Sequence, residues 1–318
     1  MKSVAIIGAG IAGSVCAYWC RHYGHSVTLF DKSRGPGGRA STRRWSDAYG
    51  IDMGVPYIVS DDIPADVRPF LNAAITAGSA CPWRMIQHNN GQIMGIDTII
   101  GSPKMSQLVR FFVNDVPMVT QYRVTQIQSQ KGKWVVAAGD DWYSDRFDQV
   151  VLAIPAPQIP DIQGVPDTIR SQAQQMAWSA VNTVLLQTNR PVWSGDYDED
   201  VWQGDVIQTV IADYKKPNRW QGGYTYAIHS TYKWATQSFD TDHPDTITAT
   251  LLAGIRDRYA VTEADCVAHH VHRWKYAQVL GNNDYVTAAP GGVYACWGMQ
   301  GTFCGSLMAG YYAAQEIA

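Results

Sequence analysis

Three glycines near the start of the chain have the spacing of a phosphate-binding turn. They are Gly8, Gly10 and Gly13, in the run GAGIAG. At this spacing the first glycine allows a tight turn, the second lets the backbone approach a pyrophosphate, and the third lets a helix pack closely on a strand. Ile11 and Ala12 lie in the same turn, where backbone N–H groups at a helix start would face the phosphates. The spacing therefore predicts a dinucleotide-binding turn.

The segments around this turn have the order of a βαβ unit. An apolar run, residues 4–7, precedes the glycines, and a helical stretch, residues 14–23, follows them. A second apolar run, residues 27–30, ends at Asp31. An acid at the end of this second strand is placed to accept hydrogen bonds from ribose hydroxyls. Strand, glycine turn, helix, strand and acid therefore occur in the order that a dinucleotide site requires.

A second glycine-rich turn with basic residues follows Asp31. It reads KSRGPGGR and includes Lys32, Gly37, Gly38 and Arg39. An arginine can fork onto phosphate oxygens, and glycines allow close backbone approach. A second turn of this kind suits a long, bent cofactor, so we predict FAD rather than NAD. The alternative is a flexible surface loop rich in glycine and arginine.

The composition is that of an ordinary globular protein. The chain has 318 residues, 46% of them apolar and 17% charged, with a net charge of −3. This charge balance argues against nucleic-acid binding, which needs a basic surface. We expect no membrane span, because no apolar run reaches about 18 residues. The six cysteines lack the spacing of a disulfide framework or a zinc site. A cytoplasmic location is the expectation.

Several motifs resemble those of the amine-oxidase-like flavoproteins and, within them, the renalases. The two glycine turns are the first, and residues 52–57, DMGVPY, resemble the short segment beneath the flavin. Residues 150–158, VVLAIPAPQ, resemble the strand and turn that return to the cofactor domain. Residues 272–277, HRWKYA, resemble a renalase-type HRW-x-YA signature, which is the most specific of these motifs. The resemblance extends along nearly the whole chain.

The resemblance implies an α/β fold with two domains. A Rossmann-like FAD-binding domain would carry an inserted antiparallel β substrate domain, in the topology shared by amine oxidases and p-hydroxybenzoate hydroxylase. We expect the FAD-binding domain to comprise residues 1–58, 101–158 and 270–318. The substrate domain would then comprise residues 59–100 and 159–269, and its strands would form a platform over the flavin ring.

Local patterns add detail to this division. Residues 81–100 alternate in strand fashion around an Asn-Asn-Gly turn and predict a hairpin. Ser102 is expected to cap the helix that follows, with Pro103 at its first position. The acidic residues 196–200 are most simply interpreted as a solvated loop.

The resemblance also implies cofactor contacts beyond the glycine turns. By position these are Pro56 and Tyr57 under the flavin, Val124 at the adenine, and three residues near the C-terminus, namely Cys296, Ser306 and Leu307. Two departures bear on them. The family's Gly-Asp pair, whose acid holds a ribityl hydroxyl, falls on Ala295-Cys296, and Pro56 replaces a glutamine. Losing a charged hydrogen bond would weaken FAD binding by about 1.5–3 kcal/mol.

The renalase resemblance implies a reaction. The substrate would be a misreduced 2- or 6-dihydro-NAD(P), whose hydride passes to flavin N5, with O2 as acceptor giving H2O2 and NAD(P)+. Loss of hydride from a dihydropyridine gives an aromatic cation directly, so little acid–base machinery is needed. The sequence shows no convincing catalytic dyad or triad. The candidate catalytic residues are Tyr57, His229 and His272, and no metal site is predicted, because only His270 and His272 of the histidine cluster share a strand face.

Two other functions stay open. The departures at Pro56 and Ala295-Cys296 motivate an FAD-dependent oxidase or dehydrogenase that acts on an amine or a biosynthetic intermediate. The missing ribityl acid motivates a degenerate, non-enzymatic protein that binds nucleotide weakly. For the dihydronicotinamide oxidase and for the amine oxidase or dehydrogenase, the partners would be a small-molecule substrate and O2 or another acceptor.

Overall fold

The computed structural model describes residues 1–47, 49–281, 284, 286–297 and 302–318. Its α-helices in chain order are α1 (Ile11–His22), α2 (Arg68–Thr76), α3 (Met105–Val113), α4 (Asp167–Gln175), α5 (Tyr232–Ser238), α6 (Pro244–Tyr259) and α7 (Phe303–Ile317). Its strands in chain order are β1 (Ser3–Ile7), β2 (Ser26–Phe30), β3 (Thr42–Arg44), β4 (Gly50–Asp52), β5 (Ile58–Val59), β6 (Ala80–Asn89), β7 (Gln92–Gly101), β8 (Met118–Val119), β9 (Gln126–Gln130), β10 (Lys133–Ala138), β11 (Asp141–Trp142), β12 (Gln149–Leu152), β13 (Trp178–Thr188), β14 (Glu199–Val201), β15 (Ile207–Ala212), β16 (Tyr224–Ser230), β17 (Cys266–Val279), β18 (Thr287–Ala289) and β19 (Val293–Ala295).

The chain divides into two compact units, each discontinuous in sequence. Unit 1 comprises Met1–Arg39, Val109–Trp178 and Gln278–Ala318, and unit 2 comprises Ala40–Leu108 and Ser179–Ala277. The domains predicted from the sequence were defined by what they bind, namely cofactor or substrate. Their boundaries therefore stay a prediction.

Unit 1 is built on a six-stranded sheet in the order β18-β19-β12-β1-β2-β8. Four of its pairings are parallel, and only the pair β18–β19 is antiparallel among the pairings described. The central strand β1 is buried on both faces, because Val4 and Ile6 pack into one core and Ala5 and Ile7 into another. Burial on both faces explains the continuous apolar runs of the sequence. The α/β, Rossmann-like prediction is confirmed.

Helices α1 and α7 cover one face of this sheet. They pack so closely that a Cβ on Gly310 would overlap the carbonyl oxygen of Ala12. Their shared core contains Cys16, Cys20 and Ala313, together with Cys296 from the end of β19. Small side chains at these positions let the two helix backbones lie close together. Unit 1 also contains a separate antiparallel sheet of three strands, in the order β11-β10-β9.

Unit 2 is built on an eight-stranded sheet in the order β17-β13-β16-β15-β14-β6-β7-β5. Most of its described pairings are antiparallel, but β14 and β6 run parallel, so the predicted antiparallel sheet is mixed. The hairpin of β6 and β7 was predicted and is confirmed, with Asn90 and Gly91 both at positive φ in its two-residue turn. This is the backbone geometry that a tight hairpin turn requires.

Two local predictions in unit 2 are wrong. Helix α3 begins at Met105, so Ser102 does not cap it, and the Ser102 hydroxyl instead accepts a hydrogen bond from Asn218 at 3.0 Å. The Met105 N–H donates to the Asp52 carboxylate at 3.0 Å, so a residue from a distant part of the sequence caps the helix. The acidic run is also not a solvated loop throughout, because only its first residue, Asp196, is exposed. Glu199 and Asp200 are buried in β14.

Of the helices in the described part of the chain, none is long and apolar enough to cross a bilayer. All six cysteines are free thiols.

Candidate functional site

The first glycine turn is held by backbone contacts that tolerate no side chain. Gly8 has φ +108°, and a Cβ on it would lie 2.5 Å from the Ala153 carbonyl oxygen. A Cβ on Gly13 would overlap the carbonyl oxygen of Gly8. The turn can therefore connect β1 to α1 this tightly only with glycine at both positions.

Gly10 has a different environment, because a Cβ there would meet no atom closer than the Gly38 Cα, at 3.8 Å. Gly10 is the N-cap residue of α1, and no side chain caps that end of the helix. The first-turn N–H groups, which belong to Ile11, Ala12 and Gly13, are therefore available to an anion, and the helix dipole favours negative charge there. These features fit the pyrophosphate of a dinucleotide.

The two glycine-rich turns contact each other. The Gly37 N–H donates to the carbonyl oxygen of Ala9 at 2.9 Å. A Cβ on Gly38 would lie 2.9 Å from the Gly10 Cα, and Gly38 has φ +52°. The second turn thus folds back against the phosphate turn, as the FAD prediction requires.

Asp31 ties the end of β2 to the phosphate turn. One carboxylate oxygen accepts from the Ala9 N–H and the other from the Ser33 N–H, each at 2.7 Å. A carboxylate has about four acceptor positions, so two remain for ribose hydroxyls.

Two further predicted cofactor residues differ in exposure. Lys32 is exposed, whereas the Val124 side chain is buried in the core of unit 1. Only the backbone of Val124 is then suited to meet an adenine.

Arg39 places a positive charge beside the start of α7. Its guanidinium donates to the Ser306 hydroxyl at 3.4 Å and lies 5.2 Å from the ring centroid of Trp178. Burial lowers the pKa of Arg39 to about 10, so the side chain stays charged at neutral pH. Ser306 is in the first turn of α7, where Thr302 accepts from the Gly305 N–H. The structure therefore brings Arg39 and Ser306, two of the predicted cofactor residues, together.

The two other predicted C-terminal contacts have buried side chains. Leu307 lies in the core, and the Cys296 thiol packs with Cys16 and Cys20 between the helices of unit 1. Burial, and then the neighbouring Cys20, raise the pKa of Cys296 to about 12. The thiol stays protonated and cannot replace the ribityl-binding acid. Leu307 and Cys296 would offer a cofactor only backbone groups.

In unit 2 a buried ion cluster anchors the segment that contains Pro56 and Tyr57. Asp52 accepts from Lys216 at 2.9 Å, from Arg219 at 2.6 Å and from Thr42 at 2.6 Å. Burial alone would raise the pKa of Asp52, but Lys216 and Arg219 hold it well below its usual range. Asp213, which contacts Lys216 at 2.7 Å, completes the cluster, and burial raises its pKa. The sequence pattern shows no signal for this cluster, because Asp52 lies 164 residues from Lys216 in the chain.

Tyr57 is fixed by a buried carboxylate. Its hydroxyl donates to Glu199 at 2.7 Å, and Gln87 and Thr209 donate to the same carboxylate at 2.7 Å and 2.8 Å. Burial and then Glu199 raise the pKa of Tyr57 beyond its usual range, so the phenol stays protonated. Tyr57 can therefore serve as a fixed aromatic ring but not as a general base. Sequence reasoning missed Glu199, although it is one of only three glutamates in the chain.

His229 lies on the same sheet face as Glu199, because β14, β15 and β16 pair in register. Its Nδ1 is 3.0 Å from the Thr183 hydroxyl, while its buried Nε2 has no hydrogen-bond partner among the described residues. Burial, and then the charge of Lys216, lower the pKa of His229 to about 4. His229 is thus a neutral imidazole whose buried Nε2 is unpartnered among the described residues.

His272 lies on β17 beside Trp274. The two ring centroids are 4.1 Å apart, and Trp274 Nε1 donates to the Met53 carbonyl oxygen at 3.0 Å. Burial, and then His270 and Arg43, lower the pKa of His272 to about 4. Within the described ranges no group of three or more His, Cys, Asp or Glu side chains could hold a metal ion.

Comparison with known proteins gives two family profiles. The profile described as NAD(P)-binding Rossmann-like domain matches residues 6–74, and that described as Flavin containing amine oxidoreductase matches residues 68–318. Renalase from Mus musculus is 25% identical over 313 aligned residues, covering 89% of this chain and 86% of that protein.

Solved structures show the same fold at low identity. Cyclohexylamine oxidase from Brevibacterium oxydans IH-35A has a TM-score of 0.76 at 13% identity, and putrescine oxidase bound to putrescine has a TM-score of 0.75 at 13% identity. Each comparison covers 99% of this chain and 98% of the other. Because the oxidoreductase profile spans more than half of the sequence, the chain belongs to the flavin containing amine oxidoreductase family, and within it is renalase-like.

Proposed function

We propose that the protein is an FAD-dependent oxidase that converts misreduced 2- or 6-dihydro-NAD(P) to NAD(P)+, with O2 as the electron acceptor and H2O2 as the second product. The family implies FAD, and the similarity to mouse renalase along nearly the whole chain is the observation that carries the finer proposal. When bound, FAD would supply a hydride acceptor at flavin N5 and a route for the electrons to oxygen. Cytoplasmic location also stays part of the proposal.

The residues of unit 1 that fit FAD are those around the two glycine turns. The first-turn N–H groups of α1 and the Arg39 guanidinium would neutralise the pyrophosphate, and Asp31 would accept from a ribose hydroxyl. The backbone of Val124, Cys296 and Leu307 and the Ser306 hydroxyl are proposed as further contacts. The ribityl end lacks the family's acid, so we expect this end to be held less firmly.

The candidate catalytic residues are poor proton acceptors. His229 and His272, with pKa values of about 4, are weak bases at neutral pH, and Tyr57 keeps its proton. Oxidation of a dihydropyridine by hydride loss needs none of them as acid or base. Their proposed role is to bind and orient the substrate: the free Nε2 of His229 can hydrogen-bond a carboxamide, and Tyr57 can present its ring. Pro56, beside Tyr57, is proposed to contact the cofactor only by van der Waals packing.

An amine substrate is the second candidate, and Glu199 favours it. This carboxylate is buried, and its partners Tyr57, Gln87 and Thr209 are all neutral. Glu199 forms no ion pair with any cationic side chain among the described residues. A buried negative charge of this kind would attract a cationic amine.

Oxygen consumption separates the two candidates. The FAD-loaded protein is supplied in turn with 2-dihydro-NAD, 6-dihydro-NAD, ordinary 4-dihydro-NAD and a panel of primary amines, and catalase is added at the end to measure peroxide. We expect oxygen uptake with the 2- and 6-isomers, together with stoichiometric NAD+. Uptake with amines alone would refute the dihydronicotinamide proposal and favour the second candidate.

A further inference from the structure

Strand β17 carries a row of aromatic and imidazole side chains along one face. His270, His272 and Trp274 alternate in sequence, so they point to the same side of the strand. Trp274 is fixed at one end by its hydrogen bond to Met53 and by its contact with His272. At about 3.3 Å per residue the row is about 13 Å long. Because β17 is the first strand of the eight-stranded sheet, the row lies along an edge of unit 2.

Arg43 extends toward this row from the ribbon of β3 and β4. It is paired with Ile51, and paired residues of an antiparallel ribbon point to the same side. Ile51 is buried against Leu185 and Ala227 of the eight-stranded sheet, so Arg43 points toward the same sheet face. Its charge is close enough to lower the pKa of both His270 and His272, after the effect of burial.

Arg43 has no charged partner among the residues of unit 2 that the structure describes. It is exposed, and it forms no ion pair in the part of the chain that the structure describes. Its sequence neighbour Arg44 points to the opposite side of the ribbon and pairs with Asp47 at 2.7 Å. The face of β17 thus combines an uncompensated guanidinium, two neutral imidazoles and an indole ring, and it contains no carboxylate from β3 or β17.

We propose that Arg43 and His270 bind the diphosphate of a dinucleotide substrate, and that His272 and Trp274 bind its adjoining ribose and base. The guanidinium forks onto phosphate oxygens, and the imidazole donates an N–H to them. The indole offers a flat apolar surface for a ring. This inference rests on the proposed dihydronicotinamide function, which it deepens by assigning a subsite that selects dinucleotides over smaller dihydropyridines. An amine would have no use for such a subsite.

Two substrates and two variants test the assignment. Anaerobic flavin reduction is followed in the FAD-loaded protein with 6-dihydro-NAD and with 6-dihydronicotinamide riboside, which lacks the diphosphate. Arg43→Gln should lower the second-order rate constant for the dinucleotide about tenfold and leave that for the riboside unchanged. Arg44→Gln, which removes the same charge one residue away, should change neither. Equal rates for wild type and Arg43→Gln, or equal losses with both substrates, would overturn the proposal.

Equilibrium binding distinguishes this inference from the proposed function. NAD+ is titrated calorimetrically into the FAD-loaded wild type and the same two variants. The dissociation constant should rise about tenfold in Arg43→Gln and stay unchanged in Arg44→Gln. If neither substrate reduces the flavin, the proposed function fails, and the titration still decides the subsite. Absence of NAD+ binding to the wild type, or binding that ignores Arg43, refutes the subsite.

Discussion

Burial determines the charge state of His229. Its pKa falls to about 4 because the imidazolium would lose its hydration and lie near Lys216. An unfolded histidine has a pKa of about 6.5, so the folded state binds fewer protons between these two values. The stability contributed by neutral His229 is therefore complete above pH 6.5 and is lost as the pH falls toward 4.

This linkage gives the first prediction. The free energy of unfolding of wild type, relative to His229→Asn, should fall by up to about 3 kcal/mol as the pH is lowered from 6.5 to 4. Urea unfolding at several pH values measures the difference. The substitution His269→Asn, at an exposed position of β17, serves as the control. A difference that does not change with pH would show that His229 is not buried as a neutral group.

Tyr57 and Glu199 give a second prediction at the same scale. Tyr57→Phe removes one of three donors to the buried carboxylate, and a hydrogen bond to such a group contributes about 1.5–3 kcal/mol. Urea unfolding at neutral pH should show this loss. Tyr232→Phe, at an exposed ring, should change stability by less than about 0.5 kcal/mol. In a double-mutant cycle, Glu199→Gln should reduce the cost of Tyr57→Phe, and additive effects would contradict the contact.

At the scale of elements, two glycines of the turn between β1 and α1 have different roles: Gly13 is needed for folding, and Gly10 is needed for cofactor binding. Gly10→Ala adds a methyl group where the nearest protein atom is 3.8 Å away, whereas Gly13→Ala overlaps the Gly8 carbonyl oxygen. Gly10→Ala should leave the stability of the apoprotein within about 0.5 kcal/mol of wild type and raise the FAD dissociation constant at least about tenfold, because the methyl group occupies the side that faces the phosphate. Gly13→Ala should destabilise the apoprotein by about 1–3 kcal/mol or more.

Fluorescence titration of FAD into the apoprotein and urea unfolding of the apoprotein measure the two effects. Equal FAD affinity in wild type and Gly10→Ala would contradict the assignment of this turn to the pyrophosphate. A stable Gly13→Ala variant would instead contradict the close packing of α1 on β1.

The elements that could be predicted from sequence are those with local signals. The βαβ unit has its glycine spacing and apolar runs, and the hairpin of β6 and β7 has its Asn-Gly turn. The start of α3 could not be predicted, because Asp52, which is distant in sequence, caps it in place of Ser102. The strand at Glu199 and Asp200 could not be predicted either. Its acidic sequence is typical of a solvated loop, and the donors that let the carboxylates be buried come from other segments of the chain. Asp200, for example, accepts from His88 and Arg258.

The residues of the candidate site likewise divide into those that local sequence predicts and those that it does not. The phosphate turn and its contacts with Asp31 and Gly37 follow from spacing, because they are made within about 40 residues of sequence. The contact of Arg39 with Ser306 does not, because it joins the two ends of the chain. The ion cluster of Asp52, Asp213, Lys216 and Arg219 does not, since only the folded chain brings β4 to the loop after β15. The free Nε2 of His229 and the buried Glu199 likewise depend on sheet register, which sequence alone does not determine.

At the scale of the whole molecule, the family assignment fixes the cofactor class but leaves the substrate to be proposed. The fold is shared with oxidases that act on amines, and the similarity in sequence along nearly the whole chain is to renalase. The weakly basic histidines, with pKa values of about 4, and the protonated Tyr57 favour a substrate that gives up a hydride without losing a proton. The buried Glu199 is the feature that weighs toward an amine.

The most direct test is the visible spectrum of the FAD-loaded protein during anaerobic mixing with 6-dihydro-NAD. We expect the flavin bands to bleach within a single turnover, NAD+ to form in equal amount, and the bands to return with peroxide when air is admitted. Flavin bands that stay unchanged with both the 2- and 6-isomers, but bleach with an amine, would contradict the proposed substrate. A protein that takes up no FAD would contradict the cofactor assignment itself.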